Sequence, residues 1–77
     1  MQEKLDKKEC LDVREIGESI GNGLFRLHRF VPDVDYCDAQ REDWIWSIGR
    51  NLDTGEILAS TTTIYYQNPR YECLWLR

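Results

Sequence analysis

Residues 24–31 alternate as a strand does, with Leu24, Arg26, His28 and Phe30 on one side and Phe25, Leu27, Arg29 and Val31 on the other. Both sides carry apolar side chains, and Pro32, which has no amide hydrogen for a ladder, ends the run. Three further stretches, 44–51, 57–66 and 71–76, predict a three-stranded antiparallel meander. Leu52-Asp53-Thr54-Gly55 suits a type I turn with Gly55 in the left-handed position of a three-residue hairpin loop. That loop sets Leu52 opposite Glu56 and Ile48 opposite Ser60. Trp44, Trp46, Ile48, Leu58, Ile64 and Tyr66 then share one face. A second reversal at residues 67–70, around Pro69, brings Tyr71, Cys73 and Trp75 to the same side.

Upstream, Leu5, Val13, Ile16 and Ile20 fall near helical spacing among alternating charges, which predicts a helix over residues 3–16 stopped by Gly17. Residues 13–20 admit a second reading, as a strand paired across the hairpin signal Asn22-Gly23. Strict alternation is absent there, so the helix is preferred. The expected fold is a single α+β domain over residues 1–77. It has an N-terminal helix packed on a four-stranded, mostly antiparallel sheet that ends in the meander.

The reverse face of the meander collects Ile45, Ser47, Gly49, Ile57, Ala59, Leu74 and Leu76. A sheet apolar on both sides needs two covers, and one helix supplies one. A second copy of the chain, or another protein, is the expected second cover.

At 77 residues a chain buries a modest share of its surface and leans on some additional source of stability. Three cysteines, Cys10, Cys37 and Cys73, make an odd count without short repeats, and residues 1–9 are charged instead of leader-like. Reduced thiols in the cytoplasm are the expected state, with no disulfide. One histidine and scattered thiols do not make a zinc set, so neither metal nor cofactor is expected. No apolar run has bilayer length.

The net charge of −4 is uneven: residues 33–43 carry −4, and residues 44–77 are neutral. The chain is acidic, and Arg26 and Arg29 are too few for a basic stripe, so it is a poor match to a phosphate backbone and nucleic acid is not an expected partner.

The acidic stretch Asp33, Asp35, Asp38, Glu42 and Asp43 lacks the glycine and glutamate of a calcium loop. Asp38 and Trp44 occupy those places. It reads as a solvated loop or as a patch that docks on a basic protein surface. Cys37 among carboxylates is a poor nucleophile even with His28 as a base, and Gly21-Asn22-Gly23 lacks the lysine of a phosphate loop. The tryptophans are the remaining candidates. They serve either as core or, with Tyr66, as an exposed anchor or pocket wall. The expectation is a small non-enzymatic cytoplasmic protein acting through protein–protein association, as a homodimer. A tryptophan-lined small-molecule pocket is the alternative. No stretch carries a motif specific to a known family.

Overall fold

The structure, a computed structural model, describes residues 10–62 and 70–77. It corrects the N-terminal helix first. A single helical turn, α1 (Val13–Ile16), is followed at once by strand β2 (Gly17–Gly21), which pairs antiparallel with β3 (Leu24–Leu27). The expected helical residues 3–9 lie outside the described residues. Asp12 caps α1, its carboxylate accepting from the Arg14 amide at 3.0 Å. Val13 and Ile16 are buried on its inner side.

Gly17 ends the turn by going extended, not left-handed. It lies opposite Leu27, where a Cβ would overlap the carbonyl oxygen of Arg26. Asn22 (φ 58°) and Gly23 (φ 76°) then form the two-residue turn. The hairpin signal therefore outweighs the weak helical spacing, and the β3 strand that it sets carries Phe25 and Leu27 into the core.

Four more strands follow β3 before the last: β4 (Tyr36–Asp38), β5 (Asp43–Trp44), β6 (Ser47–Asn51) and β7 (Ile57–Ser60); β8 spans Tyr71–Leu76. The main sheet has five strands in the order β2-β3-β7-β6-β8. A meander would place β7 in the middle of the C-terminal trio. Instead β6 is the middle strand, and β7 and β8 run in the same direction on either side of it. The expected reversal at residues 67–70, and the end of the expected strand 57–66, fall mostly outside the described residues.

The hairpin register also differs by one residue from the expectation. Ile48 faces Ala59 and Ser47 faces Ser60, with the Asn51 amide donating to Glu56 O at 2.8 Å. The loop thus has four residues. Gly55 keeps its positive φ of 81°, and Asn51 Oδ1 accepts from the amides of Asp53 (2.8 Å) and Thr54 (3.1 Å). That side-chain closure selects the longer loop. A one-residue slip exchanges faces, so Ala59 and Ile57 join Ile48 on the inner side while Leu58 moves to the other. On β8 the register shifts between the partners of Ile48 and Gly49, with Leu74 the extra residue; this places Trp75 beside Ile48.

A second sheet, β1-β4-β5, is built on β1 (Leu11–Asp12), parallel to β4. Here the structure corrects the cysteine reading: Cys10 and Cys37 form a disulfide with Cα atoms 5.8 Å apart, and Cys73 is free and exposed. An odd count hides a pair when the third cysteine has no role in it. The acidic stretch is corrected as well, since Tyr36, Cys37 and Asp38 inside it are all buried. The core joins Val13 and Ile16 of α1, Phe25 and Leu27 of β3, Tyr36, Ile45, Ile48 and Ala59. Phe30, Leu74 and Trp75 pack against it.

Tyr36 is the hub of this core. Its ring stacks on Phe30 at 5.7 Å and meets the edge of Trp75 at 5.4 Å. Its hydroxyl donates to Val31 O and accepts from the Val31 amide at 2.8 Å. Burial pushes that hydroxyl above its ordinary pKa, and the bond to the Val31 backbone partly opposes the shift.

Candidate functional site

The three tryptophans do not share a face. Trp75 packs against the core, whereas Trp46 is exposed and Trp44 half-buried, the two flanking fully buried Ile45 where the chain passes from one sheet to the other. Trp44 is held opposite Cys37 by the β4–β5 pairing. Trp46 is fixed through its backbone, its amide donating to Ser60 O at 2.6 Å and its carbonyl accepting from the Arg77 amide at 3.0 Å. Its side chain is 42% exposed.

The Arg77 guanidinium approaches both indoles, with Cζ 4.0 Å from the centre of the Trp44 ring and 5.8 Å from that of Trp46. Both distances fall within the range in which a cation is attracted by an aromatic face. Leu76, next in the chain to Arg77, is 69% exposed and pairs with Ser47. Trp44, Trp46 and Arg77 therefore form one surface at the end of β8, and Leu76, paired with Ser47, points to the other side of the strand.

The acidic residues are dispersed. Asp33 and Asp35 are exposed at the rim of an open groove of about 1050 Å³, whose walls include Cys10, Phe30, Leu74 and Trp75. Asp38 is fully buried, and its Oδ1 accepts from Arg14 Nε at 3.0 Å and from the Gln40 amide at 3.2 Å. Glu42 is exposed, and Asp43 pairs with Arg41 at 3.2 Å. Among the described residues no three His, Cys, Asp or Glu side chains gather to hold a metal ion. Tyr66 lies outside the described residues. Of the residues proposed as pocket walls, Trp75 lines the groove and Trp44 and Trp46 do not.

Cys37, weighed as a nucleophile, is bonded to Cys10, and its proposed base His28 is exposed. The arginines bordering the C-terminal strands mostly pair as charge proximity suggests. Arg50 meets Glu72, and Arg70 meets Asp53 at 2.8 Å, while Glu56 goes to Arg26 at 3.0 Å. Sequence reasoning missed Arg77 as a partner of the indoles. The available signal was the Trp-Ile-Trp alternation, which sends one residue inward and two outward. No helix among the described residues is long and apolar enough to cross a membrane. Comparison with protein-family models, with curated proteins and with solved structures finds no match to this chain.

Proposed function

We propose that this protein acts without catalysis of its own, through association with a second copy, and that β8 is the strand through which the copies meet. One observation carries the reading. β8 has β6 as its one neighbouring strand among the described residues, and it ends in the exposed Leu76, which pairs with Ser47. A strand at the edge of a sheet is a template for pairing with another strand. A two-fold arrangement satisfies both copies with the same groups. Residues 44–77 are electrically neutral, so two copies meet there without the repulsion that the acidic remainder of the chain would bring.

The two sheet faces expected to be bare are largely covered in the fold. The inner face is covered by α1 and the smaller sheet. On the outer face Ser47 and Ser60 are buried and Leu24 and Leu58 half-buried. Ile20, Val34, Trp46, Leu52 and Leu76 are the exposed large hydrophobics among the described residues, and Leu76 at the end of β8 is the most exposed, which favours pairing at that edge over face-to-face stacking. The expected cytoplasmic setting rested on free thiols and on the charged residues 1–9. The Cys10–Cys37 bond favours an oxidising setting instead. A groove with one tryptophan supports the small-molecule alternative less well than an open strand edge supports association.

Sedimentation equilibrium at micromolar concentrations tests the proposal. The native chain should sediment as a dimer and Leu76→Lys as a monomer that keeps the native circular-dichroism spectrum. A native monomer across the whole concentration range, or a dimer that Leu76→Lys leaves intact, would refute it.

A further inference from the structure

We infer that Trp44 and Trp46 form a binding site for organic cations, a guanidinium or a quaternary ammonium, and that Arg77 is its built-in occupant. The site is made before anything enters it. Trp44 is set by its pairing with Cys37, which is cross-linked to Cys10, and Trp46 is fixed by backbone hydrogen bonds on both sides. With Ile45 between them buried, both indoles stand on the same outer side, and a single guanidinium lies within reach of the two ring faces.

Arg77 differs from the other arginines that make side-chain contacts. Arg14, Arg26, Arg41, Arg50 and Arg70 each hold a carboxylate. Among the described residues Arg77 has no carboxylate partner, and its guanidinium lies against the two indoles. A cation kept by aromatic faces and not by charge is the arrangement that recognises alkylated ammonium and guanidinium ligands, for which tryptophan is the best ring. Trp46 is 42% exposed, so an incoming cation has access. The net charge of −4 draws cations toward the protein. Because the occupant is attached through the Arg77 amide to Trp46 itself, a free ligand must displace it, and removing it should open the site.

This inference does not rest on pairing of copies. It is tested by following the indole N–H resonances of all three tryptophans during titration with choline, and separately with the neutral isostere 3,3-dimethylbutan-1-ol. The proteins are the native chain, Arg77→Gln and Leu76→Lys. Choline should shift Trp44 and Trp46 and leave core-facing Trp75 in place, and the alcohol should shift none of them. Arg77→Gln should reach half-saturation at a choline concentration roughly two- to five-fold lower than the native chain, the factor expected for loss of an exposed cation–π competitor. Leu76→Lys should titrate like the native chain. Equal response to the alcohol, no response in either the native chain or Arg77→Gln, or identical midpoints for those two would overturn the assignment. If Arg77→Gln fails to fold, the contrast between choline and the alcohol on the native chain decides it.

Discussion

Opening the Cys10–Cys37 bond should be the most costly single perturbation of this fold, and its size follows from the separation of the two cysteines. They are 27 residues apart, and the loop they close contains α1, the β2–β3 hairpin and the segment that Tyr36 pins. The loop-entropy relation for a closure of that length gives about 3.5 kcal/mol of stabilisation through the unfolded chain. A domain of this size has a total stability on the order of 4–12 kcal/mol. The bond therefore supplies a large fraction of it. At roughly 4–8 °C per kcal/mol for a domain this small, reduction should lower the melting temperature by about 14–28 °C.

The assay is thermal unfolding by circular dichroism of the oxidised chain, the chain reduced by a dithiol, and a Cys10→Ser/Cys37→Ser variant. All three are measured in a Cys73→Ser background so that the exposed thiol cannot exchange. Thiol titration of the denatured native chain should find Cys73 alone. Three titratable thiols in the purified native protein, or oxidised and reduced forms that melt together, would refute both the bond and the magnitude drawn from it.

The two classes of tryptophan should separate by mutation. Trp75→Ala removes a ring packed on Tyr36 and Ile48 and should cost about 3 kcal/mol, the lower end for loss of a core aromatic, whereas Trp46→Ala should cost about 1 kcal/mol or less by chemical denaturation. Equal losses would contradict their placement on opposite sides. Tyr36→Phe takes away the hydroxyl that satisfies both backbone groups of Val31 and should cost about 1–3 kcal/mol, read from the urea midpoint. Because burial raises the Tyr36 pKa in the folded state, its contribution is complete below the ordinary tyrosine value near 10 and is lost as pH rises through the higher folded value. Stability measured against pH should therefore fall more steeply above about pH 10 in the native chain than in Tyr36→Phe. Parallel curves would remove Tyr36 as the cause.

Local signals in this sequence were readable where chemistry fixes the backbone. Asn22-Gly23 and Gly55 mark the turns that form, and strand 71–76 has the bounds its alternation indicates. Helix against strand over residues 13–20 was not decidable locally, since Val13, Ile16 and Ile20 suit a helix face while the strand partner lies beyond the turn. Register failed by a single residue because the decisive group, Asn51 Oδ1, acts on amides two and three positions onward. Strand order was illegible in kind, because placing β8 beside β6 is a long-range choice that no turn residue announces. At the candidate site the two outward indoles lay within the alternation pattern, but the approach of Arg77 depends on that same long-range pairing.

The central position of β6 gives the molecule an order of assembly. One of its neighbours arrives through a four-residue loop and the other only after a far longer excursion of the chain. Closing the short loop carries little entropic penalty, so the β6–β7 hairpin can nucleate and offer β8 a ready seam. Damage to β8 should accordingly show itself as faster loss of the native state, with the initial rate of folding nearly unaltered.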